Sequence, residues 1–282
     1  MDQSKQRSPQ LYLVATPIGH LKDMSYRAVQ TLKEVDIIFC EDTRTTSHLL
    51  KTYQISTPLK TYHEHNAEMV RPAILEAMHQ GKTIALVSDA GTPLISDPGY
   101  KLVQEAYQHH FTVSVIPGPC ALIAALTLSG LPTDTFKFCG FLPPKSMARR
   151  SALKDEAMQS ATLIYYESPQ RLLETLKDIQ DTLGNREIAV IRELTKIFEE
   201  VKRGTCLELI EWYQNHPPKG EIVICIAGHR DEPLLTDAWK QIIEALTHTH
   251  KAKEIATLLC NISPCSKSQI YDYVLACKKN QL

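Results

Sequence analysis

Ser88-Asp89-Ala90-Gly91-Thr92-Pro93-Leu94-Ile95-Ser96-Asp97-Pro98-Gly99 directly follows the apolar run 83–87. A short β-branched run ending in a small-residue, proline-punctuated loop spells a strand that stops in a rigid turn. Two further runs end the same way: residues 11–15 lead into Thr16-Pro17-Ile18-Gly19, and residues 113–116 into Pro117-Gly118-Pro119-Cys120-Ala121. Proline fixes the backbone and glycine lets a ligand approach the main chain. The third turn also opens an apolar helix, whose first N–H groups have no partner within the helix. Three such turns behind strands of one sheet point to a ligand held at the carboxyl edge of that sheet.

Working outward, residues 36–40 supply another strand, and amphipathic helices lie between the strands, with Ser25 and Asn66 as N-caps and Gly81 closing the second. This alternation predicts a parallel α/β sheet. The composition shift at residues 140–148 reads as an inter-domain crossing. A second α/β unit follows, with strands at 161–166, 187–192 and 222–227 and helices at about 169–183 and 206–214. Residues 228–233 are polar, and three short helical segments follow them. The predicted fold class is therefore α/β, with two α/β domains, 1–137 and 138–230, and a small helical C-terminal module, 231–282.

The net charge of −1 removes the global basic excess usual in a protein living on nucleic acid, so any nucleic-acid contact must come from local patches. None of the eight cysteines forms a C-x-x-C pair or a zinc spacing, which predicts reduced, buried thiols. The polar residues 1–10 lead into an apolar run too short for a signal peptide or a membrane span, which predicts a cytoplasmic protein with no membrane partner. Neither G-x-G-x-x-G nor a P-loop is present.

Several polar clusters border these strands. Glu41-Asp42-Thr43-Arg44 puts two carboxylates and a guanidinium at the sheet edge, and it reads equally as a helix start capped by Asp42 with a surface ion pair. Tyr62-His63-Glu64-His65-Asn66 lies beside it without a third ligand for a metal. In Glu167-Ser168-Pro169-Gln170-Arg171, Ser168 reads as an N-cap and Pro169 as the first helical residue, leaving Glu167 at a strand end facing the cleft. Phe136, Phe138 and Phe141 beside Lys145, Arg149 and Arg150 suit base stacking and phosphate contact, or an ordinary core with a solvated edge. Residues 251–271, broken at Ser263-Pro264, suit a helix-turn-helix pair or simple packing.

Taken in order, Thr16-Pro17-Ile18-Gly19, Glu41-Asp42-Thr43-Arg44, residues 87–99 and 117–121, Glu167-Ser168-Pro169-Gln170-Arg171, Arg192-Glu193-Leu194-Thr195-Lys196 and Lys219-Gly220-Glu221 resemble the 16S rRNA cytidine 2′-O-methyltransferase branch of the tetrapyrrole methylase family. The likeness runs over residues 11–228. It implies a homodimer that holds S-adenosylmethionine in a cleft between the two domains and acts on 16S rRNA or the small ribosomal subunit. By position, the cofactor contacts it implies are Pro17, Ile18, Asp89, Gly91, Thr92, Ile95, Ser96, Cys120, Ala121, Tyr166 and Glu221. Two positions depart from the family pattern: His20 stands where an asparagine is usual, and Cys120 where a serine is common.

Methyl transfer to a ribose hydroxyl needs alignment and a base, for which Glu41, Glu167 and His63 are the candidates, in that order, with no metal assigned. Arg44, Lys145, Arg149, Arg150 and Arg171 are the expected RNA contacts. Two alternatives stay open: a tetrapyrrole or diphthine methyltransferase sharing the same cleft, and a non-enzymatic RNA-binding assembly factor.

Overall fold

A computed structural model describes residues 9–230, 235–263 and 265–279. The polar lead at 1–8, the expected start of the tail near Leu234 and the expected break at Pro264 lie outside the described residues. Residues 1–228 form one compact unit and residues 229–282 a second.

The first sheet is built from β1 (Leu11–Val14), β2 (Ile37–Cys40), β3 (Leu59–Thr61), β4 (Ile84–Val87) and β5 (Val113–Ile116), all parallel, in the order β3-β2-β4-β1-β5. β2 and β4 are buried at every position, as a parallel sheet covered on both faces requires. Alternation divides β2 between two cores. Ile38 and Cys40 pack with Leu32 of α1 (Tyr26–Glu34) and Leu49 of α2 (Thr43–Thr52). Ile37 and Phe39 pack with Ile74 of α3 (Ala67–His79) and Leu102 of α4 (Tyr100–Gln108). Each fully buried leucine or isoleucine contributes about 1.5–3 kcal/mol. Ser25 caps α1 by accepting the Ala28 amide at 3.1 Å. Asn66 precedes α3 but does not cap it; its Oδ1 accepts the His63 amide at 2.8 Å instead.

The helix after β5, α5 (Ala121–Ser129), is apolar almost throughout, and most of it is covered, with Ile123 and Thr127 left exposed. Its cover is the second sheet: β6 (Phe136–Phe141), β7 (Thr162–Glu167), β8 (Glu187–Arg192), β9 (Glu200–Thr205) and β10 (Ile222–Ile226), in the order β6-β7-β10-β8-β9. Leu122, Ala125 and Leu126 of α5 pack on Ile164, Ala189, Ile191, Val223 and Cys225. The opposite face is covered by α6 (Ser146–Asp155), α7 (Leu172–Leu183) and α8 (Cys206–Asn215). Only β6 and β7 run parallel, so this sheet is mixed.

Three strands, β3, β6 and β9, go beyond the sequence reading. Residues 140–148 are no linker: Phe141 ends β6, Ser146 opens α6, and Arg171 Nη2 pins the turn between them through Leu142 O at 2.7 Å and Pro143 O at 3.2 Å. α7 starts at Leu172 rather than at Pro169, after a separate turn that the Arg171 amide closes on Ser168 O at 3.1 Å.

In the second unit, α9 (Asp237–Thr247), α10 (Ala252–Leu259) and α11 (Lys267–Lys279) enclose their own core of Ile243, Ile255, Leu259, Ile270 and Val274. Among the described residues no helix is long and apolar enough to cross a membrane.

Candidate active-site cleft

The turns behind β1, β4 and β5 are tied to one another. Thr16 and Gly91 exchange backbone hydrogen bonds, Thr16 N–H to Gly91 O at 2.8 Å and Gly91 N–H to Thr16 O at 3.1 Å. The Thr16 hydroxyl donates to Ser88 O at 3.0 Å, and the Thr92 hydroxyl donates to Pro119 O at 3.0 Å. Gly91 sits at φ +87°, and a Cβ there would lie 3.3 Å from Ile18 Cγ2. Its amide is therefore spent inside the protein rather than offered to a ligand. From the first turn, the His20 amide reaches across to the Thr195 hydroxyl at 3.0 Å, joining this edge to the loop after β8.

Between these turns and the second sheet lies a cleft of about 440 Å³. Ile18, Asp89, Gly91, Thr92, Ile95, Ser96, Cys120, Ala121, Tyr166 and Glu221 all line it, so every cofactor contact read from the sequence except Pro17 reaches this one cavity. Ile18, Ile191, Leu194 and Val223 give it apolar walls, while Glu41, Asp89 and Asp97 give it an acidic one. Glu221, at its rim, pairs with Lys196 at 3.1 Å.

The acidic wall is held together by the Asp42 amide, which donates to Asp89 Oδ1 at 3.0 Å. Burial pushes Glu41 up to about 7, helped by repulsion from Asp97 and Asp89. Asp97 rises to about 6, again chiefly through burial, against a lowering contribution from the Ser88 hydroxyl. No cation offsets Glu41 here, because Arg44 pairs with Asp42 at 2.7 Å and its hydrogen bond holds that carboxyl down at about 2. Asp97 was not among the candidates from sequence. It shares the β4 loop with Asp89, but its nearness to Glu41 is a fact of space.

Other candidates are placed differently. The Glu167 carboxylate is fully buried and accepts from the Ser168 amide at 2.8 Å and the Thr175 hydroxyl at 2.7 Å, with Arg171 Nε 3.3 Å away. It braces the start of α7 and at the same time lines the cleft. His63 lies in the turn after β3, does not line the cleft, and has a buried Nδ1 without a hydrogen-bond partner.

Arg149 is not available to RNA: it is 1% exposed, with Nε on Asp178 at 2.6 Å and Nη1 on Pro144 O at 3.3 Å. Arg150 is engaged by Asp178 at 2.5 Å and Asp181 at 2.6 Å, and Arg171 by the turn before α6. The carboxylate partners stand 28 to 31 residues away along the chain, beyond the reach of local pattern. Lys145 is exposed and makes no ion pair among the described residues, and Arg44 is exposed beside Asp42. Among the described residues no three His, Cys, Asp or Glu side chains are grouped to hold a metal ion.

With this geometry in hand, comparison with known proteins gives a consistent result. The sequence profile of the Tetrapyrrole (Corrin/Porphyrin) Methylases matches residues 10–210. The chain is 47% identical to a Ribosomal RNA small subunit methyltransferase I of Halalkalibacterium halodurans, over 84% of this chain and 82% of that one. It is 45% identical to the protein of the same name from Vibrio cholerae, over 95% of each. A crystal structure of diphthine synthase shares the fold, with a TM-score of 0.59 and 13% identity over 78% of this chain and 90% of the other.

Proposed function

We propose, because this chain belongs to the tetrapyrrole (corrin/porphyrin) methylase family, that it methylates the 2′-hydroxyl of a cytidine in 16S ribosomal RNA with S-adenosylmethionine as donor. The observation that carries this reading is the cleft, in which three interlocked turns, one of them carrying Asp89 and Asp97, meet a Glu41 that keeps its proton to near neutrality. Likeness to proteins named for small-subunit rRNA extends over 95% of this chain, tail included, which favours RNA over a tetrapyrrole or diphthine substrate. The small ribosomal subunit as partner, a homodimer and a cytoplasmic location belong to the same proposal.

The cleft suits such a donor. Ile18, Ile191, Leu194 and Val223 offer apolar surface for an adenosine, and Glu41, Asp89 and Asp97 offer negative charge to a sulfonium and an ammonium group. The cofactor supplies a methyl carbon made electrophilic by its cationic sulfur. The protein's part is alignment, exclusion of water and removal of the hydroxyl proton. Hydrogen bonds among Thr16, Gly91, Thr92 and Pro119 hold the binding edge rigid, so little ordering is left to occur on binding. Glu41, once deprotonated, accepts the ribose proton, and Asp89 and Asp97 raise its basicity by repulsion.

The test is ribose-methylation mapping of 16S rRNA, by mass, in cells lacking the gene. One methylated cytidine should disappear and return with the wild-type gene, but not with Glu41→Gln. An unchanged map would refute the assignment.

A further inference from the structure

Phe138 and Phe141 both meet Tyr166, with ring centroids 4.9 Å and 5.5 Å away and ring planes inclined at 62° and 65°. Residues three apart in a regular strand point to opposite faces, so this double contact requires an irregularity. β6 supplies one. Its pairing with β7 runs Phe136↔Thr162, Lys137↔Leu163 and Phe138↔Ile164, then resumes at Phe141↔Tyr166, with one extra residue in β6. Gly140 takes up the bend at φ +66°, a conformation that other residues reach only at a cost.

The bulge turns Phe141 to the face that Phe138 occupies, where it lines the cleft with 59% of its surface still open. The bulge itself lies beside the β4 loop, since a Cβ on Gly140 would stand 3.8 Å from Ser96 Oγ, next to Asp97. An exposed phenylalanine braced edge-on by a tyrosine at the mouth of a cleft has an unfilled aromatic face. Lys145, exposed and without an ion pair among the described residues, follows four residues later.

We propose that Phe141, backed by Tyr166, is the platform on which the base of the target nucleotide stacks while its ribose reaches the acidic wall. A nucleotide drawn out of RNA to present its 2′-hydroxyl loses its stacking neighbours, and an aromatic face at the cleft mouth replaces them. The inference rests on the RNA-methylating reading above.

The experiment uses the full-length protein, wild type and the variants Phe141→Ala and Phe141→Trp, on small ribosomal subunits from cells lacking the gene. Removal of one base-stacking ring corresponds to about 5- to 150-fold. Phe141→Ala should lower kcat/KM for subunits by that factor, leave calorimetric affinity for S-adenosylmethionine and the melting temperature unchanged, and be rescued by Phe141→Trp. Unchanged kcat/KM would overturn the platform, as would failure of the tryptophan rescue or a parallel loss of cofactor affinity. A second measurement is independent of turnover: a single-stranded RNA carrying a fluorescent cytosine analogue should be quenched by wild type and not by Phe141→Ala. Equal quenching overturns the platform. Wild type that quenches the probe yet methylates no subunits would instead sink the RNA-methylating reading.

Discussion

The backbone amide of Asp42 donates to Oδ1 of Asp89 at 3.0 Å, locking a carboxylate from the β4 loop beside Glu41 at the end of β2. That contact makes the acidic wall a property of the backbone rather than of mobile side chains. Burial does most to keep Glu41 a weaker acid than an ordinary glutamate, followed by repulsion from Asp97 and then from Asp89.

A base that holds its proton to about 7 is available only above that pH. Turnover should therefore climb as pH rises through about 7 and level off above it. Glu41→Gln should lower turnover by about 100- to 10,000-fold while cofactor affinity changes little. A stable Glu41→Gln enzyme with near-normal turnover would eliminate Glu41 as the base.

The same carboxyl burdens stability in a defined window. Folded Glu41 retains a proton that the unfolded chain releases near 4.5, so its contribution is favourable below 4.5 and lost as pH rises to about 7. Glutamine cannot ionise and escapes this loss. Differential scanning calorimetry should find Glu41→Gln melting above wild type at pH 8, with the gap closing towards pH 4.5. A variant less stable at pH 8 would assign Glu41 a structural role.

Arg149 and Lys145, four residues apart, should behave as opposites. Arg149→Ala removes the buried one of the two guanidinium groups on Asp178, leaving Arg150 and the Ser146 hydroxyl, and should cost about 2 kcal/mol in a denaturant melt. Lys145→Ala should leave the melt unchanged while weakening RNA binding and reducing its salt dependence by about one counterion. RNA affinity unaffected by Lys145→Ala would remove that residue from the interface.

Ending the chain after Gly228 removes the second unit, whose α9, α10 and α11 surround a core of their own. The shortened protein should fold and keep its affinity for S-adenosylmethionine. RNA binding should weaken with the loss of exposed Lys251, Lys253 and Lys267. Full methylation at limiting substrate would deny the tail a docking role.

What could be read from the sequence follows from range. Turns announced by Pro and Gly, such as Thr16–Gly19 and Ser88–Gly99, and strands buried on both faces, such as β2 and β4, carry their signal within a few residues. β9, Glu-Val-Lys-Arg-Gly-Thr, is an edge strand whose charges mask its pairing with β8, and three-residue β3 is too short for a period. β6 was hidden by its own bulge, which breaks the alternation that marks a strand. The sequence does not reveal that Arg149 is buried, because its partner Asp178 becomes a neighbour only on folding. Asp97 was overlooked for the same reason, since its proximity to Glu41 is what gives it interest.

Helix α5, apolar almost throughout and covered by strands that follow it in the chain, bears on how the protein is made. During synthesis Ser129 leaves the ribosome well before β10 ends at Ile226. At about 5–20 residues per second, that exposes a greasy helix for roughly 5 to 20 s, a window in which a nascent-chain chaperone would find its target. A half-length polypeptide ending just after α5 would keep that surface bare indefinitely, so splitting the gene there should yield aggregates rather than a working half.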